Sequence, residues 1–312
     1  MSGIPGPGDL RDPGGAPTDS LGARVFVGMQ YLLPQHGISR LVHRIARVRT
    51  AWLKNLLIDA FVRQFRPDMA DAVETDPRAY PSFNAFFTRA LRSDSRPVDA
   101  DETAIVSPVD GTVSECGPIR GDRLLQAKGH DYTLDALLAG DTALAKRFEG
   151  GQFATIYLAP FNYHRIHMPL PGELTATAYV PGWLFSVNRA TAAHVAGLFA
   201  RNERIVCSFE SPATPWALVL VGALNVGSME TVWHGEVTPR APRTPAKLPN
   251  DASRAPLALP KGAEMARFNM GSTVILLLPA GRTQWTAGLE AGRVVRVGER
   301  IGTLVPPRLP AP

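Results

Sequence analysis

Cysteine is scarce in this chain: Cys116 and Cys207 are the only two in 312 residues. Two thiols can build neither a four-thiolate zinc site nor a disulfide framework, and a reducing, cytosol-facing setting is the expectation. No uninterrupted apolar run is long enough to cross a bilayer. The opening segment MSGIPGPGDLRDPGGAPTDS lacks the basic-then-apolar layout of a secretory signal. A chain that does not span the membrane is therefore expected. Acidic residues are nearly missing from residues 24–66, where Asp59 stands alone. No His-Glu-x-x-His run is present, and no Gly-x-Ser-x-Gly elbow surrounds Ser272, which argues against a zincin and an α/β-hydrolase.

The composition is globular, with 45% apolar and 20% charged residues. Gly and Pro, 28 of each, favour many short elements over a helical bundle. A net charge of +5 points to an acidic partner: nucleic acid, anionic lipid or a phosphate-bearing substrate.

Residues 1 to about 20 read as disordered. From Arg24 to Arg66 apolar residues recur at helical spacing, through Leu41, Ile45, Val48, Trp52, Leu56, Phe61 and Phe65. Arg44, Arg47, Arg49, Lys54, Arg63 and Arg66 lie between them. A basic amphipathic helix of this kind suits an anionic membrane surface, and a helix packed on the domain with a solvated basic face explains the pattern equally well. Tyr80–Arg89 reads as a short helix whose Phe83, Phe86 and Phe87 belong to the core.

Strand signals follow at Thr103–Val113, Gln152–Leu158, Glu173–Val180, Ile205–Phe209, Trp216–Val226 and Thr273–Leu278. Thr191–Arg201 reads as a helix, and Pro239–Gly262 as a Pro-rich, mobile connection. The fold class expected is α+β: N-terminal amphipathic helices on a mainly antiparallel β domain. Pro108-Val-Asp-Gly-Thr-Val and the run Val294–Leu304 resemble the strands of biotinyl or lipoyl carriers, a hint of a barrel-sandwich arrangement. Lys128 lacks the hairpin setting a carrier lysine needs.

Three segments can carry chemistry. His164 and His167 lie three apart after a strand and a turn at Pro160. They suit a base and a proton donor better than metal ligands, because Arg165 intervenes and no third ligand is evident. Asp110-Gly111 is a turn pair between two β-rich runs, where an Asp most often bonds its own backbone. Gly271-Ser272 precedes a strongly apolar strand. A serine hydroxyl becomes a nucleophile beside a base oriented by an acid, and Asp110, His164 or His167, and Ser272 offer that set. A serine hydrolase with an intact Ser272 is one rival reading. A nucleic-acid binder is less favoured, since the basic residues gather on an apolar-faced helix.

In order and spacing several segments together resemble the pyruvoyl-dependent phosphatidylserine decarboxylase family of bacteria. They include Gln30-Tyr-Leu-Leu-Pro, the Phe83–Arg92 block with Arg96-Pro97, Pro108-Val-Asp-Gly, Leu125-Gln-Ala-Lys-Gly-His, Tyr163-His-Arg-Ile-His-Met-Pro, Leu198-Phe-Ala-Arg-Asn-Glu-Arg and Met270-Gly-Ser-Thr. Met270 stands where the family commonly has Leu, a swap that conserves volume and polarity. Trp183 stands where relatives often carry a polar residue.

The resemblance implies a proenzyme that cuts itself between Gly271 and Ser272. Asp110 would orient His167, which would take the Ser272 proton. The products would be a β chain ending at Gly271 and an α chain, 272–312, capped by a pyruvoyl group derived from Ser272. That covalent pyruvate is the implied cofactor, forming a Schiff base with phosphatidylserine; His164 would reprotonate the product carbanion, with exchange of the two histidine roles left open. Implied partners are phosphatidylserine, an anionic membrane and the sister chain in an α/β heterodimer, with dimers of that pair open and no nucleic acid or metal. The implied organisation is a disordered 1–23, a helical membrane-associating arm 24–100 and a catalytic domain 101–312, placed peripherally on the cytoplasmic side of the inner membrane.

Overall fold

The computed structural model describes residues 21–127, 129–224, 228–237, 244–248, 256–270 and 272–306. The disorder expected for residues 1–20, and the expectations placed on Lys128 and Gly271, fall outside the described residues.

Helix α1 spans Leu21–Leu32, α2 Gln35–Ala46 and α3 Ala51–Phe65. The single amphipathic helix expected around Leu41–Phe65 is thus two, interrupted at residues 47–50, and α1 begins three residues before the boundary read from the sequence. Pro34 has no N–H to donate and separates α1 from α2. Two glutamines tie these helices down. Gln30 accepts from the Ser186 N–H and Gln35 from the Leu184 N–H, each at 2.7 Å. Both glutamines are buried, so each bond satisfies a backbone group that has no water.

The apolar stripe of the arm has two fates. Phe61 packs among Phe65, Phe83, Phe86 and Phe87, with ring centroids 4.7–5.8 Å apart; such pairs contribute about 0.5–1.5 kcal/mol each beyond burial. Leu32, Leu41, Ile45, Trp52 and Leu56 stay exposed. Helix α4, Phe83–Phe87, is capped by the Ser82 side chain accepting from Ala85 N–H, and its three phenylalanines are core, as expected.

Beyond the arm the strands are antiparallel. The large sheet runs in the order 246–247, 172–180, 204–210, 216–221, 272–278, 152–158, 111–118, 294–295. Its central strand, Ser272–Leu278, is buried throughout. Side chains alternate across a strand, and two cores follow from that alternation. Val274, Leu276 and Leu278 join one core, while Ile275 and Leu277 join the other. Burial on both faces explains why this strand reads as a continuous apolar run. A four-stranded sheet ordered 235–237, 229–231, 264–268, 165–167 covers the first face, and short helices cover the second. The class is α+β, with no closed barrel among the described residues.

Three local readings change. Thr103–Val113 is two strands, Ala104–Val106 and Gly111–Pro118, parted by the turn that carries Asp110. Thr191–Arg201 is two short helices, Arg189–His194 and Leu198–Arg201, because Gly197 between them adopts φ +65°. The Pro-rich connection supplies two short strands, Ala246–Lys247 and Ala258–Leu259, that pair with Gly172–Val180.

Candidate active site

Asp110 sits in the turn before the Gly111–Pro118 strand. The turn presses against the neighbouring strand so closely that a Cβ on Gly111 would lie 2.5 Å from the Tyr157 carbonyl oxygen, which requires glycine there. The Asp110 carboxylate takes a forked ion pair from Arg96, whose Nε lies 3.0 Å from Oδ1 and whose Nη2 lies 2.6 Å from Oδ2. It also accepts the Val297 N–H at 2.9 Å. Arg96 reaches Asp71 as well, at 2.8 Å, and its two carboxylate partners hold its pKa above the ordinary guanidinium value against the effect of burial.

The strand Arg165–His167 lies along Glu264–Phe268, with His167 opposite Glu264. The His167 backbone N–H donates to the Pro108 carbonyl at 2.8 Å, bringing the Asp110 turn beside this histidine. Its Nδ1 donates to the Gly262 carbonyl at 2.8 Å. That bond fixes the tautomer, and Nε2 accepts from the Tyr163 hydroxyl at 3.0 Å. Burial pushes the His167 pKa down, opposed by the Gly262 carbonyl and by the charges of Glu264 and Asp110.

His164 is fully buried, stacked on Phe87 with centroids 4.1 Å apart. Its Nε2 donates to the Pro160 carbonyl at 3.3 Å, leaving Nδ1 as a lone pair without a partner. Burial and then the positive charge of Arg89 push its pKa down to about 3. The ring is neutral at physiological pH.

Ser272 opens the central strand opposite Leu158. It is fully buried, and its Oγ has no partner. Parity with Val274 and Leu276 turns its side chain toward the face covered by the histidine-bearing sheet. Two routes connect it to His164. The chain leaving Leu158 reaches His164 within six residues through a turn in which Asn162 Oδ1 accepts the Ala159 N–H at 2.8 Å. The Phe268 N–H donates to the His164 carbonyl at 3.0 Å, four residues before Ser272. His164 Nδ1 and Ser272 Oγ are thus two orphaned buried polar atoms on adjoining segments.

The structure brings the Asp110 turn and His167 side by side and runs the His164 segment beside that of Ser272. It does not string Asp110, His167 and Ser272 into one hydrogen-bonded chain: Asp110 is held by Arg96 and Val297, His167 by Gly262 and Tyr163. Sequence reasoning missed these partners. Nothing in the sequence ties Arg96 to Asp110, 14 positions on, or Gly262, 95 positions on, to His167.

A clamp precedes Ser272. Asn269 donates to Ser228 Oγ at 2.9 Å and accepts from Asn84 at 3.2 Å. Ser228 in turn donates to Glu236, which is paired with Arg47 and, at 2.9 Å, with His43 of α2. The arm is thereby tied to the residues that lead into position 272.

Comparison with known proteins decides the family. A family model for phosphatidylserine decarboxylase matches residues 83–303, which include Asp110, both histidines and Ser272. The chain belongs to the phosphatidylserine decarboxylase family. A second family model, described as PSD, matches residues 25–66 of the arm. A phosphatidylserine decarboxylase proenzyme of Pseudomonas fluorescens is 52% identical over 283 residues, covering 91% of this chain and 98% of the relative. One from Azotobacter vinelandii is 52% identical over 279 residues, covering 89% and 98%. Another, from Alkalilimnicola ehrlichii, is 56% identical over 247 residues, covering 79% and 85%. The resemblance read from the motifs is therefore upheld, and with it the assignment as a decarboxylase.

Proposed function

We propose that this decarboxylase matures by cutting itself before Ser272 and then converts phosphatidylserine to phosphatidylethanolamine and carbon dioxide. The observation that carries the reading is the Ser272 hydroxyl: buried in a core, without a partner, at the mouth of the central strand. A hydroxyl left unpaired in such a place costs about 1–3 kcal/mol; Ser39, Thr155 and Thr273 are left unpaired too, and Ser272 is the one that directly follows Gly271.

Cleavage begins when His167, oriented electrostatically by Asp110, takes the Ser272 proton. The oxygen attacks the carbonyl of Gly271 and the peptide bond becomes an ester. β-Elimination releases the Gly271 carboxylate and leaves dehydroalanine at 272, and water converts that group to pyruvoyl with loss of ammonia. Once formed, the pyruvoyl group supplies a carbonyl that takes up the substrate amine and an electron sink for the departing carboxylate. The dry, apolar surroundings of position 272 suit such a group, since they exclude water from a carbanion.

For that His167 must release Tyr163 from Nε2, a bond of ordinary length. His164 is neutral while uncut. Next to a bound substrate its ring gains a negative neighbour, which raises its proton affinity and fits it to return a proton to the product. One observation favours the exchanged assignment: His164 Nδ1, free beside the Ser272 segment, is already a base without a competing partner. Two variants separate the assignments. His167→Ala is expected to stay whole and His164→Ala to cut but release no carbon dioxide; a whole His164→Ala chain exchanges the roles.

The substrate's acyl chains remain in a bilayer, so the enzyme works at a membrane surface, on the cytoplasmic side of the inner membrane. No helix among the described residues is long and apolar enough to cross a membrane. Ten of the sixteen exposed large apolar side chains among the described residues lie between Leu21 and Leu56. Concentrated beside Arg40, Arg44 and Arg49, they form the kind of patch that lies in a lipid interface. This supports the first part of the arm, to Leu56, as membrane-associating; the α and β chains of the catalytic domain, 101–312, stay together as a heterodimer.

A further inference from the structure

Arg89 has no role in the account above. It follows helix α4 and is 3% exposed. Its Nη2 donates to the carbonyls of Phe161 at 3.2 Å and Asp68 at 3.5 Å, whereas Nε and Nη1 have no partner. No carboxylate forms an ion pair with it among the described residues. Arg204, buried as deeply, shows what a structural arginine looks like here. Its three nitrogens donate to the carbonyls of Leu137, Ala136, Ala200 and Asn202 at 2.6–2.9 Å. A buried cation without a paired anion costs several kcal/mol, and burial pushes the Arg89 pKa down accordingly.

Its position is informative. The charge of Arg89 acts directly on His164. Phe161, which holds its Nη2, lies three residues beyond Leu158, the strand partner of Ser272. Two unsatisfied guanidinium donors therefore stand in the neighbourhood of both groups assigned to the chemistry.

We propose that Arg89 receives an oxyanion in the mature enzyme. The ligand is the phosphodiester of the lipid headgroup or the carboxylate that cleavage leaves on Gly271, two anions whose oxygens can accept charge-assisted hydrogen bonds from the free Nε–H and Nη1–H on the two edges of the guanidinium. The proposal rests on the reading of Ser272 as the site of self-cleavage. It adds the residue that recognises the charge of the substrate or of the new chain end.

The test uses the full chain with Arg89→Met and Arg89→Lys. Intact mass reports cutting, gel filtration reports retention of the short chain, and steady-state kinetics use phosphatidylserine in detergent micelles. The Arg89 Nε–H resonance, identified by its loss in Arg89→Lys, is followed while glycerophosphoethanolamine is added. If the phosphodiester is the ligand, the mature Met variant shows KM raised on the order of 50-fold with kcat within about threefold, and glycerophosphoethanolamine shifts the wild-type resonance. If the new carboxylate is the ligand, KM holds, the resonance differs between wild type and uncut Ser272→Ala, and the Met variant loses its short chain on the column. A Met variant that cuts, keeps both chains and has KM within about twofold of wild type overturns the proposal. Should the Met variant fail to fold, an Nε–H resonance unmoved by both cleavage and glycerophosphoethanolamine overturns it instead. An uncut wild-type chain counts against the self-cleavage reading rather than Arg89, and the glycerophosphoethanolamine titration still decides for or against the oxyanion.

Discussion

Phe87 and His164 stack with ring centroids 4.1 Å apart and planes 24° from parallel, which joins the arm's aromatic cluster to the candidate site. Phe87 is 2% exposed and also meets Phe61 of α3. Phe87→Ala is expected to destabilise the fold by about 3–5 kcal/mol and, by freeing the His164 ring, to slow release of carbon dioxide by the cut enzyme while leaving self-cleavage in place. Urea denaturation, the fraction cut at a fixed time and carbon dioxide release check these effects separately.

Stability should depend on pH in two opposed ways. The pKa values of His164 and His167 are lowered by burial, so below about pH 6.5 the unfolded chain binds protons that the folded chain refuses. Their contribution is complete above that pH and is lost as pH falls toward the folded values, by at most about 1.4 kcal/mol per pH unit for each histidine. Glu203, buried with Oε2 unpaired, is pushed up to about 7. The folded state therefore holds its proton between the ordinary carboxylate value and pH 7, and stability falls as pH rises through that window. Glu203→Gln is expected to stabilise the protein at pH 8, with the gain shrinking by pH 5. Denaturation midpoints at both pH values decide it.

The clamp before Ser272 predicts a swap. Asn269→Asp sets a second carboxylate against Glu236 and is expected to slow cleavage about tenfold, the equivalent of about 1.4 kcal/mol in the barrier. Adding Glu236→Gln to it restores a donor opposite an acceptor and should recover most of the rate. The time course of chain cleavage for the two single variants and the double variant, at matched thermal stability, is the measurement.

The cations of the arm divide by partner. Arg47 is bound to Glu236, and Lys54 donates to Asn55 Oδ1 at 2.8 Å and to the Arg78 carbonyl at 2.6 Å. Arg40, Arg44 and Arg49 have no ion pair among the described residues. Replacing these three with Gln should weaken binding to anionic vesicles by about 1 kcal/mol for each charge, with little change on neutral vesicles. Equal binding to both vesicle types would return α2 and α3 to a packing role.

The fold was legible where patterning is decided locally. Gln152–Leu158 and the apolar run from Thr273 announce strands by β-branched content and unbroken hydrophobicity, and the spacing of Phe83, Phe86 and Phe87 announces a buried helix. Less was legible where a single residue overrides propensity, as at Gly197, or where pairing is remote, as with the short strands of the Pro-rich connection. The candidate site divides the same way. Asp110, His164, His167 and Ser272 stand out by residue type and by the family's motifs. The groups around them do not: Arg96 meets Asp110 14 positions on, Gly262 meets His167 across 95, Arg89 meets Phe161 across 72 and Asn84 meets Asn269 across 185, and no local pattern encodes such contacts.

The central claim is that Ser272 becomes the N-terminus of a separate chain. Intact-mass spectrometry of the denatured, purified protein tests it most directly. The account predicts two species, a longer chain ending at Gly271 and a shorter one beginning at position 272, lighter than its serine form by the mass of ammonia. A single uncut chain from a folded wild-type sample would contradict it and leave Ser272 an intact hydroxyl.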